Sequence, residues 1–328
     1  MCKDNIIKCK IFLFEIEFVL SIYFISSQIM KTIPYLQKGD TVAVISTARK
    51  IEEEPVVYAK YLLESWGLEV LLSNNLFSQD NYFAGTDVER RDDLQNAIDN
   101  PDVKAIICAR GGYGTVRILD DIDWTFFCAN PKWICGFSDV TALHNQMHKM
   151  NFPSIHSTMP INFETNSKEA LDSMKKALFG EKLVHSFDTH SDNKNGVGEG
   201  VLVGGNLSII YSLCGTDIDL DCTDKILFFE DLDEYNYHID RIFMNFKKGG
   251  KLDALKGVVV GGITDIKDSS IPFGKTVEQI ILESVNHLNI PVCFGFPAGH
   301  FSDNRALILG KKIRLTVSDK PCIEFSVN

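Results

Sequence analysis

An apolar run ends at a glycine, a serine stands two residues on, and a helix-forming stretch begins at once. The tract is Pro131-Lys132-Trp133-Ile134-Cys135-Gly136-Phe137-Ser138-Asp139-Val140-Thr141-Ala142. Such an order exposes a nucleophilic serine. The glycine permits a tight turn, and the helix turns its N-terminal N–H groups and positive dipole end toward the hydroxyl. Serine chemistry also needs a base, a group that orients the base, and donors for an oxyanion. Lys225-Ile226-Leu227-Phe228-Phe229-Glu230-Asp231 is an apolar strand ending in carboxylates, and such a carboxylate suits the orienting role. Phe294-Gly295-Phe296-Pro297-Ala298-Gly299-His300-Phe301 sets a histidine in a Gly/Pro-rich loop, where an imidazole suits general-base work.

Each tract alone has a plainer explanation. Ser138 with Asp139 makes a good helix N-cap, Glu230 an ion-pair partner and His300 a loop hydrogen-bonder. The serine tract is not a G-x-S-x-G elbow, because position 140 is valine. Arg110-Gly111-Gly112-Tyr113-Gly114 lacks the spacing of a dinucleotide or P-loop motif and reads as a tight turn. His144 and His148 share a helix face as in a zinc motif, but Asn145 occupies the place of the catalytic glutamate, so no metal and no cofactor are expected.

The elements that must carry these residues alternate. Strands are predicted at Thr41 to Ser46, Leu68 to Leu72, Val103 to Cys108 and Trp133 to Cys135. Helices are predicted at Glu54 to Trp66, Asp87 to Ala97, from Thr115 to Leu119, and at Val140 to Lys149. Strand–helix alternation implies a doubly wound, mostly parallel sheet with its site at the carboxyl ends of the strands. Both the Arg110–Gly114 turn and Ser138 fall there. The later part reads as strands with two helices, Tyr237 to Lys248 and Val277 to Leu288. The expected organisation is an extension over 1–29, a Rossmann-like domain over 30–165, a polar linker over 166–198 and a smaller β-rich domain over 199–328.

Composition is that of a globular chain: 328 residues, 45% hydrophobic, with a net charge of −11 that disfavours nucleic acid and anionic membranes as partners. The nine cysteines are scattered with no Cys-x-x-Cys, as in a reduced cytoplasmic protein. Ile11 to Ile25 is apolar behind Lys3, Lys8 and Lys10, like a signal or anchor, but Glu15 and Glu17 interrupt it. It is also shorter than the ~20 residues that span a bilayer. Residues 1–29 are therefore expected to be an upstream extension from a misassigned start rather than an export signal.

Taken together the tracts resemble the LD-carboxypeptidases of serine peptidase family S66, the muramoyltetrapeptide carboxypeptidases, and their relatives that confer immunity to microcin C7. The resemblance runs from about Ile33 to Val317, through Phe83-Ala84-Gly85-Thr86-Asp87, Ala109 to Gly114, Gly136 to Asp139, Gly204-Gly205-Asn206-Leu207, Phe229-Glu230-Asp231 and Gly299-His300. It implies a nucleophile at Ser138, an orienting acid at Glu230, a base at His300, and an oxyanion hole of the Gly112 and Asp139 backbone N–H groups. It further implies a two-domain α/β fold, a homodimer, and a cleft between the domains that takes a small peptide. Arg110 and Tyr113 are candidate substrate contacts, and Arg110 and Arg241 are the candidates for holding the terminal carboxylate. One departure is Ser46-Thr47-Ala48, where relatives often carry Ser-Pro.

The implied activity is release of terminal D-alanine from murein tetrapeptides in cell-wall recycling. The rivals are an immunity-type hydrolase of aminoacyl-nucleotide analogues and a silent peptide-binding protein. Chelation is expected to leave hydrolysis intact, measured after dialysis against EDTA. Activity lost to EDTA and restored by zinc would bring back His144 and His148 as ligands.

Overall fold

The computed structural model describes residues 30–326, so the expectation for residues 1–29 lies outside it. Strands covered on both faces read as continuous apolar runs. β1 (Thr41–Ile45), β3 (Val103–Cys108) and β4 (Trp133–Gly136) are of this kind, with β4 buried throughout. With β2 (Glu69–Leu72) and β5 (Ser154–His156) they pair in parallel in the order β5-β4-β3-β1-β2. Helices α1 (Glu53–Ser65), α2 (Asp87–Asp99), α3 (Thr125–Ala129) and α4 (Thr141–Lys149) lie between successive strands. The order reverses between β1 and β3. Loops leave these two strands in opposite directions, which opens a crevice at their carboxyl ends.

Segment 166–198 is more structured than its polarity suggested. It holds α5 (Lys168–Phe179) and β6 (Val184–Ser186). Ser167 Oγ caps the start of α5 by accepting from the Ala170 N–H, Gly180 at φ +71° ends it, and Ala170, Met174, Ala177 and Leu178 form its buried stripe. Thr115 to Leu119 goes the other way. It makes only 3₁₀ turns at Thr115–Arg117 and Leu119–Asp121, and the Thr115 N–H donates to the Asp139 carboxylate at 2.9 Å.

The second sheet is seven-stranded and mixed. β7 (Gly196–Asn206), β8 (Lys225–Leu232), β9 (Gly257–Thr264) and β10 (Val292–Cys293) run parallel, with α6 (Leu207–Ser212), α7 (Asn236–Lys248) and α8 (Val277–Val285) among them. After β10 the chain returns to the first sheet as β11 (Leu307–Leu309), antiparallel to β5. It then closes the second sheet with β12 (Lys312–Val317) and β13 (Cys322–Phe325), which pairs with β6.

The two sheets meet where β7 ends. An added Cβ on Gly205 would sit 2.5 Å from Thr141 Oγ1, and the Asn206 N–H donates to that same oxygen at 2.9 Å. Thr141 opens the helix that follows Ser138, so β7 and the serine helix are in direct contact.

Gly204 shows how tightly β7 and β8 pack. Its φ is +139°, and a Cβ there would lie 1.7 Å from the carbonyl oxygen of Phe228. Backbone cannot step aside, so Gly204→Ala is expected to cost about 3 kcal/mol or more, read as a fall in the urea midpoint. Gly215→Ala is the control. Its Cβ would meet nothing within 4 Å at φ +78°, so only the backbone cost of about 1 kcal/mol applies. Equal losses in both variants would overturn this view of the β7–β8 contact.

Candidate active site

Ser138 follows β4 with φ +61°, in the left-handed region that costs a residue bearing a Cβ roughly 1–3 kcal/mol. The neighbours hold it there. A Cβ on Gly136 would lie 2.9 Å from Val140 Cγ2, so only glycine lets the turn close. The Gly136 carbonyl accepts from His144 Nε2 at 2.9 Å, and Ser154 Oγ donates to His144 Nδ1 at 2.8 Å. Burial pushes His144 down to about 4, so its ring is a neutral strut with both nitrogens in use. His148, expected to share its face, points to other partners near Asp221 and Lys225.

The Arg110–Gly114 turn crosses directly over the serine. A Cβ on Gly111 would lie 3.0 Å from Ser138 Cβ, 3.1 Å from its Oγ and 3.5 Å from the Asp139 nitrogen. The glycine turn therefore packs directly against the Ser138 side chain, and a side chain at Gly111 would crowd it. The Asp139 side chain is buried and accepts from the Thr115 N–H, which ties the serine turn to the end of the glycine turn. Burial raises its carboxyl, while bonds from Thr115 and Gly114 and the charge of Arg90 oppose that rise.

Glu230 is fully buried at the end of β8, and His300 Nδ1 donates to its Oε2 at 2.7 Å. The β8–β9 ladder slips at Glu230, a bulge that re-aims the side chain. Gly299, at φ +128°, admits the close approach: a Cβ there would fall 2.9 Å from Glu230 Oε2. With Nδ1 committed, the lone pair of the neutral ring is on Nε2. Burial lowers the His300 pKa, but the bond and charge of Glu230, with the charge of Asp231, outweigh it and the net shift is upward. The Phe137 ring lies 4.9 Å from the His300 ring, which sets the histidine against the residue next to Ser138. Among the described residues no hydrogen bond within 3.5 Å joins the Ser138 hydroxyl to His300, as is common before a substrate is bound.

Asn206 is a site residue that sequence reasoning quoted without giving it a task. Its Nδ2 donates to Asp231 Oδ1 at 2.9 Å and to Glu230 Oε1 at 3.3 Å, and its Oδ1 caps α6. The adjacent carboxylates thus share a donor, although strand alternation turns them to opposite faces. Asp231 also accepts from Ser208 N, Ser208 Oγ and Leu232 N. Burial, with the charge of Glu230, raises its carboxyl to about 6 against those bonds. His156 also escaped notice. It is fully buried, is held neutral by burial, and stacks edge-on with Phe137 and Phe228 behind the serine.

The candidate substrate contacts separate. Arg110 borders the crevice, with Nη1 donating to the Lys50 carbonyl at 3.2 Å. Tyr113 is half exposed at the turn, 6.2 Å from the Phe83 ring. Arg241 is exposed on α7 and lies over its own neighbour Tyr237. A cavity of about 490 Å³ lined by Pro34, Asp40, Val103 and Lys132 opens at the opposite, amino ends of the strands.

The chain matches the LD-carboxypeptidase N-terminal domain over residues 42–157 and the LD-carboxypeptidase C-terminal domain over 199–315. It is 33% identical to a probable murein peptide carboxypeptidase of Bacillus subtilis, over 88% of this chain and 92% of that one. A muramoyltetrapeptide carboxypeptidase from Oxalobacter formigenes superposes with a TM-score of 0.79 at 27% identity, covering 88% of this chain and 99% of that one. A microcin C7 self-immunity protein in complex with aspartyl sulfamoyl adenosine gives a TM-score of 0.80 at 21% identity, covering 90% and 99%. That last likeness is one of fold.

The Glu230–His300 pair makes a titration prediction. His300 should titrate above the ordinary imidazole value of 6.5, followed by NMR of the ring protons. Glu230→Gln removes the bond's charge and leaves burial as the main influence, so the value should drop below 6.5. An unmoved His300 in that variant would mean that Glu230 does not set its charge.

Proposed function

Because the chain belongs to the S66 family of LD-carboxypeptidases, which are serine peptidases, we propose that it hydrolyses the L,D bond that releases terminal D-alanine from murein tetrapeptides. The observation that carries this reading is the buried Glu230–His300 hydrogen bond of 2.7 Å, set against a serine held in left-handed backbone. The likeness to carboxypeptidases of murein peptides from two bacteria supports the substrate class.

In this mechanism His300 Nε2 takes the proton of Ser138 as Oγ attacks the scissile carbonyl. Glu230 stabilises the imidazolium that forms and fixes its tautomer. The Gly112 and Asp139 N–H groups receive the oxyanion. The tetrahedral intermediate collapses as His300 returns the proton to the leaving amine, freeing D-alanine and leaving an acyl-serine. A water, deprotonated by His300, then releases the shortened peptide and restores Ser138. Donors fixed on backbone need little reorganisation as charge develops, which is the main electrostatic gain. No step calls for a metal. We place the reaction in the cytoplasm and the protein in a homodimer. The seven described cysteines are all unpaired, in keeping with a reducing compartment, and no helix among the described residues is long and apolar enough to cross a membrane.

Ser138→Ala should lower turnover by about 10⁴–10⁶ with little change in unfolding. Mass spectrometry of products from a defined murein tetrapeptide and, in parallel, an acyl sulfamoyl adenosine reads both rate and substrate. Loss of 71 mass units of D-alanyl residue from the tetrapeptide only is the expected result. Cleavage of the nucleotide analogue alone would favour the immunity-type reading. Near-wild-type rates in the alanine variant would rule out the serine mechanism.

A further inference from the structure

Two guanidinium groups stand in the crevice at the switch point of the first sheet, one on each loop that forms it. Arg49 follows β1 and Arg110 follows β3. The loops are laced together: the Arg49 N–H donates to the Gly111 carbonyl at 3.4 Å, Arg110 Nη1 donates to the Lys50 carbonyl at 3.2 Å, and Thr47 Oγ1 meets Thr115 Oγ1 at 2.9 Å. Arg90, Arg91, Arg117, Arg305 and Arg314 each pair with a carboxylate. Among the described residues three arginines form no ion pair: Arg49 and Arg110 on these loops, and Arg241 on α7 over the Tyr237 ring. The Arg49 guanidinium lies over the Tyr82 ring at 5.1 Å. Burial and the charge of Arg49 make Arg110 less basic, against a weaker pull from Tyr82 and Glu52. Two like charges kept close in a chain of net charge −11 lack an anion.

We propose that Arg49 and Arg110 together receive the free carboxylate of the residue that leaves, and so make the enzyme demand a free C-terminus. The identity of that ligand rests on the carboxypeptidase reading above. Position supports it. A Cβ on Gly112 would lie 2.8 Å from Arg49 Cβ and 3.6 Å from its Cδ, so the arginine stem packs on the glycine assigned to the oxyanion. The carboxyl carbon of the leaving residue is three bonds from the scissile carbon, roughly 4 Å away. A guanidinium rooted beside the oxyanion donor reaches that carboxylate, and an arginine fork binds it through paired charge-assisted bonds. Arg241 is exposed on α7, with its guanidinium over the Tyr237 ring.

The experiment compares a murein tetrapeptide ending in D-alanine with the same peptide ending in D-alaninamide, using the full chain and the variants Arg49→Gln and Arg110→Gln. For the free acid, kcat/KM should fall by about 30-fold or more in each variant. For the amide, already a poor substrate, the variants should change it by less than about 3-fold. Arg110 also laces the loops, so Arg49→Gln, at an exposed position, is the cleaner variant, and the acid-to-amide ratio is a readout that a merely structural loss leaves unmoved. Equal loss on both substrates, or no loss on either, overturns the proposal while leaving D-alanine release intact. If wild type releases no D-alanine, the carboxypeptidase reading fails. The Ser138→Ala protein is then titrated by calorimetry with N-acetyl-D-alanine and its amide. Binding selective for the acid and lost in Arg49→Gln supports the carboxylate site, and its absence overturns it.

Discussion

One contact sets the geometry of everything near the serine: β7 ends against the first turn of the helix that follows Ser138. The Asn206 N–H binds Thr141 Oγ1, and Gly205 lacks the carbon that would strike it. Through this contact the helix that follows Ser138 is positioned by the second sheet. Asn206 then reaches Glu230 and Asp231, its neighbours on β8, with its amide group. Serine turn, amide and acid are thus held in one rigid column. A hydroxyl and an imidazole from different sheets act together only if the sheets keep sub-ångström register, and glycine at the seam allows it.

The site carries a thermodynamic burden. Ser138 sits in a backbone region that disfavours a side chain, and Glu230 and Asp231 are adjacent buried carboxylates. Asp231 binds its proton more tightly in the fold than an ordinary carboxyl does. The folded state therefore loses stability as pH rises through the range from about 4 to about 6. His300 acts in the same direction, since its folded value is raised too: it contributes stability below the ordinary 6.5 and loses it as pH rises through the folded value. Acid thus favours the fold through both groups, and the strain and charge are held by the large cores of the two sheets.

Much of this was legible in the residues. Apolar runs gave the buried strands, and glycine, proline and the chemistry-bearing side chains at their ends marked the crevice. Ser138, Glu230 and His300 stood out because each followed an apolar run. What was illegible depended on distance across the chain. Asn206 has a cap's signature and nothing in its neighbourhood hints at two carboxylates. His156 lies on a three-residue strand too short for any periodicity. Segment 166–198 reads as polar, yet Ser167, Gly180 and the stripe between them spell a capped helix. Arg49 passed unnoticed because its importance lies in a loop partner, Gly111, sixty-odd positions away.

The return of β11 to the first sheet has a consequence for synthesis. β5 is laid down at Ser154–His156, but its partner Leu307–Leu309 emerges only near the end of translation. Until then the first half carries an open strand edge, the template that proteins usually shield. Ala306 and Asn166 reinforce the late closure, through bonds from the Ala306 N–H to Ser173 Oγ and from Asn166 Nδ2 to the Ser302 carbonyl. A chain that ends after the first half therefore has a sheet with an open edge, and it lacks Glu230, His300 and the β7 contact that holds the helix after Ser138. Such long-range pairing slows folding. It also keeps an emerging hydrolase inert until nearly the whole polypeptide is available to assemble it.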